Sequence, residues 1–159
     1  MLFCIFTDIT AQSVASRATA NIISALSLTK AEGTQGELDW GDIVAGSTTS
    51  TVYLSPDETG IRTIGDPGAT LASSNTGNAA KFMLSGEENA TVDISILSPD
   101  IVLDDAMGNF MNASLALSED VTILTEGEAE IYVGGMLTIG PEQSLGSYSG
   151  YFELNVHYQ

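Results

Sequence analysis

Short apolar runs broken by Gly, Ser, Asn and Pro recur along the whole chain. Residues 91–97 give the clearest pattern. Val92, Ile94 and Ile96 fall on one face, Asp93 and Ser95 on the other, and Pro99 ends the run. A repeat of two marks a β-strand with one side buried. The same pattern predicts strands at 14–22, continued by Leu26 and Leu28, and at 38–44, 51–54, 61–64, 80–84, 101–103, 121–124 and 130–139. Residues 110–111 and 114–117 read as two further short strands, and 104–112 as one helical turn that Gly108 weakens. Gly134-Gly135 predicts either a bulge or a point where another backbone comes close. The carboxyl end alternates again from Gly146 onward. Tyr148, Phe152, Leu154, Val156 and Tyr158 face one way; Tyr151, Glu153, Asn155 and His157 face the other.

Roughly eight to ten strands at this spacing predict an all-β fold, an antiparallel two-sheet sandwich of immunoglobulin-like, pilin-like type, with a barrel as the alternative. No linker or repeat divides the chain, so 12–159 reads as one domain. A chain of 159 residues is long enough to bury a core. Charge narrows the partners. Four Lys and Arg face 21 Asp and Glu, for a net −17, and Arg17, Lys30, Arg62 and Lys81 stand singly. Nucleic acid needs a basic patch, and an anionic membrane surface repels this balance. No run reaches the ~20 apolar residues of a membrane span.

Residues 1–6 are apolar, and 7–12 carry a small-residue site with cleavage expected after Ala11. Residues 1–11 therefore read as the remnant of a secretory signal; the alternative is a buried first strand. Cys4, the only cysteine, would leave with the signal. A cysteine-free exported domain takes its stability from its core and not from disulfides. The expected location is secreted or at the cell surface.

Candidate chemistry is sparse. His157 is the single histidine and sits on the polar face of the last strand, away from any nucleophile pattern. Zinc needs clusters of Cys and His that the sequence lacks. Asp104-Asp105, Glu87-Glu88 and the series Glu126, Glu128, Glu130 could hold calcium or act as paired acids, although none has the spacing of a calcium loop. Trp40, Tyr53, Tyr148 and Tyr151 could form a sugar-stacking face, with Trp40 more simply read as core. The sequence thus predicts no catalytic residue, no metal and no cofactor, and a protein that is not an enzyme.

Two stretches carry a resemblance. Residues 18–30 with 38–43, and residues 133–139 with 146–152 and His157-Tyr158, resemble the exported bacterial domain family of unknown function 4402, itself related to spore-coat-U-like and fimbrial subunit domains. The carboxyl end is similar to that of chaperone–usher pilus subunits, which close on a penultimate Tyr, alternating apolar residues and a Gly fourteenth from the end. Tyr158, Val156, Leu154, Phe152 and Gly146 meet that pattern; the cysteine pair of many such subunits is missing. The resemblance implies a structural subunit of an extracellular filament or fimbria. It would polymerise with its own copies by donating a strand to the next subunit, served by a periplasmic chaperone and an outer-membrane usher. The donor implied is 14–22, with Val14, Ser16, Ala18, Ala20 and Ile22 inward; its bland alternative is the domain's own first strand. The acceptor edge implied is Gly146, Phe152, Leu154, Val156 and Tyr158. The competing function is a monomeric surface module that binds carbohydrate or protein.

Overall fold

The computed structural model describes Arg17 and residues 19–159. Among them twelve strands follow in order: β1 Ser27–Lys30, β2 Ile43–Val44, β3 Ser50–Leu54, β4 Arg62–Ile64, β5 Thr70–Leu71, β6 Ala80–Ser85, β7 Thr91–Ile96, β8 Asp100–Asp104, β9 Phe110–Leu117, β10 Val121–Ile123, β11 Glu128–Ile139 and β12 Leu154–Tyr158. All strand pairs are antiparallel. The protein is an all-β sandwich: a large sheet of seven strands packs on a three-stranded sheet in the order β10-β7-β12, with β2 and β5 as a separate pair.

Strand β11 organises the large sheet. Tyr132 is paired with Lys81 of β6, while its own C=O and N–H meet the backbone N–H and Oγ of Ser118 just past β9. Four residues on, Met136 is flanked by Tyr53 of β3 and Ser114 of β9. Strands β6 and β3 therefore share one edge of β11 in succession, and β9 takes the other. The handover falls at Gly134-Gly135. A Cβ on Gly134 would stand 2.4 Å from Leu54 O, and one on Gly135, with φ +145°, 2.3 Å from Ser114 O. This is the close backbone approach the glycine pair predicts.

Alternation decides which side chains enter the core. Val92 and Ile94 of β7 meet Leu84 of β6, Ile131 of β11 and Leu124 in one buried cluster. Val52 and Leu54 of β3, Val133, Leu137 and Ile139 of β11, and Trp40 form the other. The buried Trp40 Nε1 donates to Gly135 O at 3.3 Å, so the indole lies within the sandwich and not on a sugar-stacking face.

Several local expectations need correction. Residues 38–44 are not one strand: Gly41 takes φ +67° and its N–H turns back to Asp39 Oδ1, leaving a single bridge from Asp39 to Asn78 and the two residues of β2. Residues 110–117 form one strand instead of two, because small Ala113 is itself a core position, 3% exposed. No helical turn occupies 104–112. Asp105 Oδ1 accepts the N–H groups of Met107 and Asn109 and fixes a turn there. The terminal strand begins only at Leu154.

Candidate functional site

The open edge of β12 follows from its pairing with β7. Leu97 N–H donates to Glu153 O at 3.0 Å and Gln159 N–H to Thr91 O at 3.1 Å. In an antiparallel ladder alternate residues direct their backbone groups to the same neighbour. Glu153, Asn155, His157 and Gln159 therefore face β7. Leu154, Val156 and Tyr158 turn their N–H and C=O groups the other way, where no described backbone group meets them. The side chains of these same three residues are half-buried against the core.

A second wall faces this edge. Ala31 N–H donates to Lys81 O at 3.0 Å, which by the same alternation turns the backbone groups of Leu28 and Lys30 away from β6. Leu26 and Leu28 pack on the same buried cluster as Val156 and Tyr158. Phe82 of β6 meets Phe152, the lead-in to β12, edge to face with ring centres 6.1 Å apart. Among the described residues no backbone hydrogen bond joins β1 to β12. Among the described residues the sandwich thus carries a seam with apolar walls and two rows of backbone groups without a backbone partner.

One end of the seam is clamped. Tyr158 Oη donates to Ser24 O at 3.0 Å and accepts the Glu87 N–H at 2.7 Å, while Ser24 N–H donates to the Glu87 carboxylate at 2.8 Å. That last bond holds the Glu87 carboxyl below the usual glutamate range. A lowered folded pKa contributes above the unfolded value and loses its contribution as pH falls through the folded one. The Ser24 amide proton is therefore expected to shift upfield together with Glu87 titration, at a pH below the usual glutamate range. An NMR titration in which that amide stays fixed while Glu87 protonates would show the bond is not made.

The sandwich also holds a cavity of about 920 Å³, lined by none of the seam residues named above. Its sides are the chain that follows β1, from Leu38 to Ser47, and the chain that precedes β12, from Glu142 to Tyr148. Trp40, Leu103, Leu137, Ile139 and Tyr148 supply apolar lining. The Tyr148 hydroxyl is fixed by donating to Ser144 O at 2.8 Å and accepting Gln143 Nε2 at 2.9 Å.

The sequence candidates divide between these features. Leu154, Val156 and Tyr158 lie on β12, Phe152 at its threshold, and Gly146 in a turn beside the cavity instead of in the strand. Val14, Ser16 and Ala18 lie outside the described residues. Ala20 and Ile22 are exposed and in no strand, Ile22 at 96%. The opposing wall of Leu26, Leu28 and Phe82, and the Ser24–Glu87–Tyr158 clamp, were not singled out as site residues by sequence; Leu26 and Leu28 were the only signal. Four of the acidic candidates serve local structure. Asp104 and Asp105 cap a turn, Glu87 holds Ser24, and Glu130 bonds Lys81 and Tyr132. Among the described residues no three His, Cys, Asp or Glu gather as a metal site.

Comparison with curated proteins gives no match. The family model for the domain of unknown function DUF4402 covers residues 26–158, a span that holds both walls of the seam, and the chain belongs to that family.

Proposed function

We propose that this protein is a structural subunit of an extracellular filament or fimbria, exported from the cell and assembled by strand exchange, and that it is not an enzyme. The observation that carries this reading is the edge of β12, unfilled by any described residue, where Leu154, Val156 and Tyr158 offer backbone groups outward and apolar side chains inward. A strand from another copy, residues 14–22, completes both. A periplasmic chaperone and an outer-membrane usher fit the need to protect such an edge before assembly, since an exposed apolar edge invites indiscriminate pairing.

Chain connectivity sets the direction in which a donor can lie in the seam. Strand β1 runs away from the Tyr158 end and β12 runs toward it. Ser24 is fixed at Tyr158. For the chain's own 14–22 to lie antiparallel to β12, Ile22 would sit at the Leu154 end, about 14 Å from Tyr158 at strand rise. Two residues reach only about 7 Å. The chain's own extension can therefore enter only parallel to β12 and antiparallel to β1, whereas a donor antiparallel to β12 must come from another copy and lies parallel to β1. A donor from outside has no such restriction, and head-to-tail contact of this kind does not close on itself.

The test is electrophoresis of the intact exported protein in mild detergent without heating. A ladder of oligomers that collapses to one band on boiling is expected. A single monomer band in both lanes sinks strand exchange and favours a self-contained binding module.

A further inference from the structure

Two Asn-X-Ser/Thr triplets lie in the chain, Asn89-Ala90-Thr91 and Asn112-Ala113-Ser114. The asparagine of such a triplet can carry a glycan in an exported protein, where the chain is at the surface. We infer that Asn89 is an N-glycosylation site and that Asn112 is not. This rests on the export proposed above and is independent of strand exchange.

The turn between β6 and β7 presents Asn89. Ala90 N–H donates to Glu87 O at 3.2 Å and closes a four-residue turn with Asn89 third. Asn89 takes φ +61°, a left-handed conformation that Asn adopts more readily than most residues. Its N–H donates to Leu124 O at 2.9 Å, so the backbone is held while the residue stays exposed. Among the described residues the side chains of Asn75, Asn78 and Asn109 are tied by hydrogen bonds, whereas the Asn89 amide and the Thr91 hydroxyl make none. A sugar on Asn89 therefore displaces no hydrogen bond of the described side chains. Glu87, two residues earlier, donates its N–H to the Tyr158 hydroxyl, which puts the sugar at the clamped end of the seam.

Asn112 has the same triplet in a different setting. It lies in the middle of β9, opposite Val102 of β8 on one side and Thr138 of β11 on the other, and the next residue, Ala113, is buried in the core. A transferase must close around all three residues of its acceptor, and here both flanks are paired with long strands. Thr91 instead opens β7, where its partner is Ile123, the last residue of three-residue β10. Freeing the end of so short a ladder costs few bonds, and such ends open first.

The co-substrate class is an oligosaccharide joined to a lipid through a diphosphate. The Asn89 amide nitrogen forms a bond to the anomeric carbon of the sugar. The bond from that carbon to the diphosphate oxygen breaks, its electron pair leaves with the lipid diphosphate, and one amide proton passes to a base of the transferase. Nothing is oxidised or reduced.

The test is mass spectrometry of the intact protein recovered from outside the cells that make it, with fragmentation of the peptide that holds residues 87–91. A mass gain of whole sugar residues on Asn89 is expected, with the Asn112 peptide unmodified. The gain is expected to vanish in Asn89→Gln and in Thr91→Val, which keeps both Asn89 and a β-branched residue in the strand, and to persist in Thr91→Ser. An unmodified Asn89 in the exported protein overturns the site and leaves export standing, as does a gain on Asn112 alone or one that survives Thr91→Val. A protein found only inside the cells overturns export and, with it, this site.

Discussion

A chain lacking residues 12–23 is expected to run as a monomer before and after boiling, while keeping the folded domain. Among the described residues neither buried cluster draws on one before Leu26, so the deletion leaves that core whole. What disappears is the proposed donor. Val14 and Ile22 would each contribute roughly 1.5–3 kcal/mol when buried, which together corresponds to about 10²- to 10⁴-fold in the dissociation constant of each proposed link. Ala18 and Ala20 add less, and Ser16 adds no apolar area. The link is therefore of moderate strength, and the loss should be complete. A synthetic peptide spanning 12–23 should bind the shortened chain and protect the amides of Leu154, Val156 and Tyr158 from exchange. An unchanged ladder from the shortened chain would remove 14–22 from consideration as donor.

The second large effect is in the fold itself. Gly135→Ala is expected to destabilise the domain by about 3–5 kcal/mol, read as a lower urea midpoint. At φ +145° a side chain is strained, and its Cβ would sit 2.3 Å from Ser114 O and 2.8 Å from Leu115 Cα. The neighbours that must give way are backbone of β9, not the end of a flexible side chain. The shift would also disturb the carbonyl that accepts the Trp40 indole N–H. Gly108→Ala is the control. Its φ is +97° but nothing lies within 4 Å of the added carbon, so it carries the backbone strain alone and should cost about 1–2 kcal/mol. Equal losses at the two positions would mean that close packing at β11 is unimportant.

At 80–84, 91–97 and 130–139 the reading as strand agrees with the structure, whereas Ala20 and Ile22 lie in no strand. Strands β6, β7 and β11 and the inward set Phe152, Leu154, Val156 and Tyr158 are legible because burial on one face forces a repeat of two. Strand β9 is read in two pieces because Asn112-Ala113 looks polar and small, although a small residue is what its core position accepts. The run at 38–44 misleads for a different reason. Leu38, Trp40 and Ile43 are apolar because they border the core and the cavity, while the backbone between them turns on Gly41. One wall of the seam could be read from the carboxyl end, with the family resemblance. The cavity could not, since its sides lie about a hundred residues apart in sequence and meet only through tertiary packing.

The clamp at Ser24 has a mechanical consequence. Tension applied to the amino-terminal extension would reach the domain at Ser24 and pass to β1 and, through Tyr158, to the end of β12; a pull along β1 would load its ladder with β6 lengthwise. Hydrogen bonds loaded lengthwise must fail together, whereas bonds peeled from one end fail in turn. A chain of such domains would resist stretching through its strands sooner than it would unravel from its ends.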